Sequence, residues 1–385
     1  MINERLGFYE FFAGGGMARL GLGPEWRCLM ANDICRKKGR AYRANFPPAN
    51  ELIIEDIYNL TLAKLPDKPI LAWASFPCQD LSLAGNRNGL GAERSGTFWP
   101  FWRLMQAMSE DGRSLPIIVL ENVVGALTSN NGRDLQAILE TVVGAKYRVG
   151  LLVVDAVHFL PQSRPRLFFI AVKRNQKIPA ELTQSGPSDL WHSKALRAAY
   201  VALPDHQKNA WVWWRLPPPQ VKRPNLEDLI EDNPAGVRWH SREETQYLLS
   251  LMSTINMEKV RKAQALGRRI IGTVYKRTRR DKEGKSVQRA EVRFDQISGC
   301  LRTSVGGSSR QTIFVVEGET IKSRLLSPRE AARLMGVFDE YKLPDNYNEA
   351  YHLMGDGLAV PVVGWIARRI LDPLALANRR LLEAA

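Results

Sequence analysis

The feature that most constrains this chain is a rhythm. Over the first ~175 residues, short apolar runs alternate with stretches of helical periodicity. The runs Phe8–Phe12, Cys28–Asn32, Ile70–Ser75, Ile117–Glu121, Leu151–Asp155 and Leu167–Val172 read as strands. Between them, Lys37–Asn45 and Leu135–Val143 read as helices. Strands joined through helices run parallel and bury both faces. The alternation therefore predicts an α/β, doubly wound parallel sheet of the Rossmann-like kind.

The rhythm stops near Lys173. From there to about Gly318 the chain is punctuated by Pro217-Pro218-Pro219, carries the cluster Trp211, Trp213 and Trp214, and turns basic. Residues 256–310 hold fifteen Lys or Arg against five Asp or Glu. The expected division is one domain from residues 1–175 with 320–385, and a smaller, irregular one from 176–319. The tryptophans read as domain core. Ser327-Pro328-Arg329-Glu330 has the spacing of a capped helix start, with a capping Ser, Pro at the first helical position and Glu three residues beyond the cap.

Net charge is +14, which favours a polyanionic partner. No run approaches the ~18 apolar residues of a membrane span, and the first residues lead straight into a strand. No membrane partner and a cytosolic location are expected. The four cysteines, Cys28, Cys35, Cys78 and Cys300, form no CxxC pair, so neither a zinc site nor a disulfide framework is expected.

Chemistry enters with Phe12-Ala13-Gly14-Gly15-Gly16, directly after a strand. Glycines there permit a tight turn and close approach of backbone to a ligand. Asp33 follows at the end of the next strand, where such sheets grip ribose hydroxyls. Asp56 has the alternative reading of a helix N-cap. Nicotinamide and adenosylmethionine enzymes both satisfy this pattern. The strand Ile70–Ser75 runs into Phe76-Pro77-Cys78-Gln79 and then a glycine-punctuated polar stretch. A cysteine there is a candidate nucleophile at the ligand-binding edge of the sheet. Glu121-Asn122-Val123 ends the next strand, and Pro161-Gln162-Ser163-Arg164-Pro165-Arg166 opens another.

In order, FAGGGMARLGL, ND, EDI, FPCQDLSLAG, ENV, QSRPR and GDGLAVPVVGWIA span nearly the whole chain. This series resembles the DNA (cytosine-5) methyltransferase family. The resemblance implies an adenosylmethionine-dependent methyltransferase domain and a target-recognition domain, acting on double-stranded DNA as a monomer in the bacterial cytosol or nucleoid. A restriction endonuclease in the same host is the implied partner. Phe12, Gly14 and Gly16 would lie along the methionine and sugar of S-adenosylmethionine. Asp33 would hold the ribose hydroxyls, and Ile34, Asp56 and Ile57 would surround the adenine. Cys78 would be the nucleophile, with Pro77 beside the cofactor. Gln79, Ser82 and Arg94 would face DNA. Glu121 would hold ring nitrogen 3 and the amino group of cytosine, with Asn122 fixing its loop. Arg164 and Arg166 would face the base carbonyl and the catalytic loop. Gly355–Ile366 would return to the first domain.

The chain departs from the family pattern in three places. Met17 replaces a glycine, Glu10 stands for the usual Asp, and Asp356 stands for Asn. In the basic segment, Arg268, Arg269, Lys276, Arg277, Arg279 and Arg280 are expected to contact phosphate. Three other readings compete: an RNA-modifying relative, a non-catalytic DNA-binding paralogue, and a nicotinamide-dependent oxidoreductase. The simultaneous presence of Cys78, Glu121, Arg164 and Arg166 disfavours the paralogue.

Overall fold

A computed structural model describes residues 6–66, 68–77, 96–220, 222–280, 284–302 and 310–383. They fall into two compact units. Met1–Asp155, Pro165–Pro219 and Val360–Ala385 make the first; Ala156–Arg164 and Gln220–Ala359 make the second.

The first unit is built on a seven-stranded sheet of β1 (Leu6–Phe11), β2 (Trp26–Asp33), β3 (Leu52–Ile54), β4 (Leu71–Ala74), β5 (Ile117–Val123), β6 (Tyr147–Asp155) and β7 (Pro165–Lys173). Their order is β3-β2-β1-β4-β5-β7-β6. Strands β3, β2, β1, β4 and β5 pair in parallel. The run Ile117-Ile118-Val119-Leu120 is buried throughout, as a strand covered on both faces must be. The helix Phe98–Glu110 contributes Phe98, Phe101, Trp102, Met105 and Met108 to the core over this sheet.

Several details differ from expectation. The sheet is not wholly parallel, because β7 runs antiparallel to both β5 and β6. The physical reason is length. Residues 156–164 join β6 to β7, and a parallel crossover needs a dozen or more. Strand β3 was not foreseen, because three residues are too few to show a period.

The units also divide the chain elsewhere than at residues 175 and 320. Residues 176–219 pack in the first unit. Val149 donates to Ala210 O (2.9 Å) and accepts from Val212 N (3.0 Å), while Val153 donates to Trp191 O (2.8 Å). These bonds lay the segment along the free edge of β6. Trp214 is fully buried there, and Trp211 and Trp213 pack with Tyr200. The expected core role of the cluster is met, though in the first unit. From Val360 the chain packs in the first unit again, and Trp365 Nε1 donates to Pro217 O (2.9 Å).

The second unit is less irregular than expected. It contains β8 (Ile270–Arg280), β9 (Ser286–Arg293), β10 (Thr312–Glu317) and β11 (Thr320–Leu325) in an antiparallel sheet of order β11-β10-β8-β9. Leu248 and Leu249 of the helix Arg242–Ser250, Val260 of the helix Thr254–Ala265 and Met252 between the two cover Val274, Ala290, Val292 and Phe314. The capping box forms as read: Ser327 Oγ accepts from Glu330 N (3.1 Å) and Glu330 Oε2 accepts from Ser327 N (2.8 Å). The same Glu330 forms a fully buried ion pair with Arg324 at 2.6 Å. No helix among the described residues is long and apolar enough to cross a membrane.

Gly150 tests the docking of residues 210–214 on β6. A Cβ at this position would lie 2.0 Å from Val212 O and 2.7 Å from the Trp214 ring. Gly150→Ala is expected to cost about 1–3 kcal/mol or more through overpacking. Gly186→Ala, with open space around it, should stay within about 0.5 kcal/mol. Denaturant unfolding of the two variants checks this, and equal stabilities would refute the packing.

Candidate active site

Strands that run parallel bring their carboxyl ends to one edge, where open α/β sheets bind ligands. The glycine turn leaves β1 at that edge. Phe12, Gly14 and Gly16 all have positive φ (58°, 56° and 79°). Phe12 is therefore held in a conformation that only glycine adopts freely. At Gly16 the turn admits no side chain, since a Cβ would lie 2.3 Å from the Phe46 ring.

Asp33 ends β2 and is buried. Its Oδ2 accepts from Gly14 N (2.8 Å) and its Oδ1 from Cys35 N (2.7 Å). One carboxylate thus ties the glycine turn to the start of the helix Arg36–Asn45. An ionised carboxylate has about four acceptor positions, so both oxygens retain capacity for a ligand hydroxyl. Ile34 follows directly and is 66% exposed, a bare apolar surface beside the carboxylate. After β3, Asp56 caps a short helical turn by accepting from Tyr58 N (3.0 Å), and Ile57 is buried. The N-cap reading of Asp56 thus describes its local bonding.

Glu10, noted in the sequence only as a departure, lies on β1 just before the turn and is 1% exposed. Its Oε1 accepts from Arg19 N (3.3 Å), in the helix Met17–Leu22. Its Oε2 has no hydrogen-bond partner among the described residues. Burial pushes its carboxyl up to about 8. The sequence signal was available: an acidic residue inside an otherwise apolar strand.

The next strand end lies one position along the sheet. β4 closes at Ala74, and the described chain continues to Pro77, immediately before Cys78 in sequence. Cys78, Gln79, Ser82 and Arg94 lie outside the described residues. Asn122, at the end of β5, donates from Nδ2 to Phe76 O (3.0 Å), and its Oδ1 accepts from Val123 N (2.8 Å). It therefore clamps the segment that leads into Cys78. Beside it, Glu121 and Arg166 form an ion pair (Oε1 to Nε, 3.1 Å). The register explains this meeting. Val123 stands opposite Arg166 in the β5–β7 ladder, so Glu121 is the diagonal, same-face neighbour of Arg166.

The two arginines of QSRPR part company. Arg166 belongs to the first unit, whereas Gln162 and Arg164 belong to the second. Arg164 is 1% exposed. Its guanidinium donates to Leu301 O (3.1 Å), Gly355 O (2.7 Å) and Gly357 O (2.7 Å), and lies 3.2 Å from Cys300 Sγ. Gln162, fully buried, donates to Leu334 O (2.7 Å) and accepts from Leu301 N (3.2 Å). Arg164 thus donates to backbone carbonyls of its own unit, and Arg166 pairs with Glu121 in the first.

Of the expected phosphate contacts, Arg277 and Arg280 are exposed on β8. Arg279 is placed in that strand by its backbone. Arg269 is paired with Asp232. Among the described residues, no group of three or more His, Cys, Asp or Glu could hold a metal ion.

Comparison with known proteins agrees over the whole length. Residues 6–372 match the model of the C-5 cytosine-specific DNA methylases. The type II methyltransferase M.BsuFI of Bacillus subtilis is 26% identical, over 98% of this chain and 76% of its own length. The type II methyltransferase M.HhaI of Haemophilus parahaemolyticus is 25% identical, over 95% and 94%. Two solved structures share the fold. The Entamoeba histolytica methyltransferase EhMeth has a TM-score of 0.61 at 12% identity, covering 96% of this chain and 99% of that one. The S. pombe Dnmt2 methyltransferase has 0.56 at 16%, over the same shares.

Glu10 makes stability depend on pH. Its folded value is raised from 4.5 to about 8, so its contribution is complete below the lower value and lost as pH rises through the upper one. Each pH unit in that window should remove up to about 1.4 kcal/mol. Thermal midpoints measured from pH 5 to pH 8 should fall in the wild type and fall less in Glu10→Gln. Equal slopes would show that Glu10 does not titrate there.

Proposed function

The chain belongs to the C-5 cytosine-specific DNA methylase family, and on that premise we propose that it methylates carbon 5 of a cytosine in duplex DNA through a covalent adduct on Cys78, using S-adenosylmethionine. One observation carries the reading. The Glu121–Arg166 pair and the Asn122 clamp on Phe76 lie at the same sheet edge as the glycine turn and Asp33.

The cofactor-side residues fit a nucleoside with an attached amino acid. The turn presents bare backbone at Gly14, Asp33 keeps acceptor capacity, and Ile34 offers an exposed apolar surface. S-adenosylmethionine supplies an electrophilic methyl group when bound. Phe12, Gly14 and Gly16 would follow its methionine and sugar. Asp33 would take the ribose hydroxyls, Ile34, Asp56 and Ile57 would border the adenine, and Pro77 would separate it from the nucleophile.

Carbon 5 of cytosine is a weak nucleophile within an aromatic ring. Adding the Cys78 thiolate at carbon 6 breaks the aromaticity and makes carbon 5 enamine-like, splitting one hard step into easier ones. A free thiol has a pKa near 8.5, so nearby cations favour the reactive form. Glu121, held by Arg166, hydrogen-bonds ring nitrogen 3 and the amino group, and supplies the proton that nitrogen 3 takes as charge arrives. Arg166 faces the base carbonyl. Arg164 contributes as a positioning residue through the backbone it binds. After methyl transfer, a base such as water takes the carbon 5 proton, those electrons re-form the carbon 5–carbon 6 double bond as the bond to sulfur breaks and Cys78 leaves as thiolate, and nitrogen 3 returns its proton to Glu121.

A base stacked in a duplex cannot reach such a site, so the cytosine is flipped out. Gln79, Ser82 and Arg94 contact the DNA around it, and the basic second unit selects the sequence. The type II relatives suggest a setting in which a restriction endonuclease of the same host is the partner, with the enzyme acting as a monomer.

Two measurements test this reading. Asp33→Ala should weaken S-adenosylmethionine binding by about 1.5–3 kcal/mol, the scale of a hydrogen bond to a charged group; unchanged affinity by calorimetry would remove Asp33 from the site. Duplex DNA bearing 5-fluorocytosine at the target should trap the enzyme in a complex that survives denaturing electrophoresis, because fluorine cannot leave as a proton does. Trapping should require S-adenosylmethionine, vanish in Cys78→Ser and fail with tRNA. Attachment mapping to Cys28, Cys35 or Cys300 would overturn the assignment of Cys78.

A further inference from the structure

Strand β8 outruns one of its neighbours. β10 pairs with it only from Ile270 to Val274, whereas β9 stays paired from Thr273 to Arg280. Residues 275–280 and 286–291 therefore form a two-stranded antiparallel ribbon beyond the four-stranded part of the sheet. At about 3.4 Å per residue it extends roughly 20 Å. From Tyr275 to Glu291 the chain carries seven Lys or Arg against three Asp or Glu.

The two faces of the ribbon differ. On one, Arg277 and Arg289 stand directly opposite each other, both exposed. Like charges in that position destabilise a ladder. Part of the repulsion is met locally: Arg277 lies 3.7 Å from Glu291, and its guanidinium sits 4.6 Å over the Tyr275 ring. A polyanion would relieve the remainder. The opposite face begins in the core, where Ala290 packs with Leu248 and Met252. Farther out it becomes polar and exposed, with Thr278 opposite Gln288 and Arg280 opposite Ser286. Arg277 and Arg289 thus share one face, while Thr278, Gln288 and Ser286 stand on the other between Lys276 and Arg280.

This chemistry matches a DNA major groove. The groove is about 12 Å wide and about 8.5 Å deep, accepts a two-stranded ribbon and shows a distinct pattern for every base pair, while the minor groove, about 6 Å wide, shows a degenerate one. A ribbon of roughly 20 Å reaches its floor with length to spare. Base edges there are read by hydrogen bonds, and a glutamine amide pairs with adenine at two points. Long guanidinium side chains reach phosphates at the groove walls.

We propose that the β8–β9 ribbon docks in the major groove of the target duplex, with Gln288 and Thr278 reading a base edge and Arg277 and Arg289 holding flanking phosphates. This deepens the duplex-DNA reading above and rests on it. Arg277 and Arg280, expected together as phosphate contacts, lie on opposite faces of the ribbon and act differently.

The test begins with bisulfite sequencing of DNA from a host expressing the wild-type enzyme, which defines the methylated site. Site-bearing and scrambled duplexes are then titrated against wild type, Gln288→Ala and the double variant Arg277→Gln/Arg289→Gln over a range of salt. Gln288→Ala should lose roughly ten-fold or more discrimination at one base position and keep the wild-type salt slope. The double variant should bind every duplex more weakly, with the slope of log affinity against log salt reduced by about 1.8, or about 0.9 for each phosphate lost. Unaltered thermal midpoints should show that both variants fold. An unchanged base profile in Gln288→Ala, or an unchanged slope in the double variant, overturns the proposal. Wild-type enzyme that methylates no duplex would instead overturn the function it rests on.

Discussion

The parallel pairing of β2, β1, β4 and β5 is the constraint from which the site follows. Buried backbone must pair, and strands that exit through helices can pair in register only by running the same way. Their carboxyl ends then open along one edge. The glycine turn, Asp33, the Phe76-Pro77 segment and Glu121 stand in a row there because each follows or ends one of these strands. None of them is near another in sequence. The Asp33 carboxylate strengthens the arrangement by bonding both the turn after β1 and the helix after β2.

The reversed strand β7 completes the row. An antiparallel neighbour brings the start of β7, rather than its end, to the carboxyl edge of β5. Arg166 is the second residue of that strand, and this places it across from Glu121. A parallel β7 would present Lys173 at that edge instead. The single reversal, imposed by a short connection, thus decides which arginine meets the carboxylate.

Within the second unit a different logic operates. Gln162 and Arg164 bond the backbone of residues 301, 334, 355 and 357. A buried guanidinium that lost such acceptors would carry a heavy desolvation cost. These contacts therefore hold sequence-distant segments of the unit in one arrangement. The motif that in sequence suggests two catalytic arginines contains, in the fold, one residue paired with Glu121 and one that organises its own unit.

Much of this was legible in the residues themselves. Local patterns carry their own meaning: a strand followed by Gly14-Gly15-Gly16, a capping Ser327 with Glu330, and apolar β5 ending in Glu121-Asn122 all act over a few positions. The family resemblance rests on the same short motifs, and so the sequence alone determined the α/β class and the family, and named the residues expected at the carboxyl edge. Other features needed tertiary structure, because they depend on which distant segments compete for the same partner. Residues 176–219 joined the first unit because β6 had a free edge to satisfy. Arg164 turned to backbone carbonyls because burial left it no water. Glu10 became an acid with a value near 8 because the packing around β1 closed over it. The two faces of the β8–β9 ribbon appeared only once the register set Arg277 against Arg289 and Thr278 against Gln288. Pairing between strands is a long-range choice, and no window of sequence contains both sides of it.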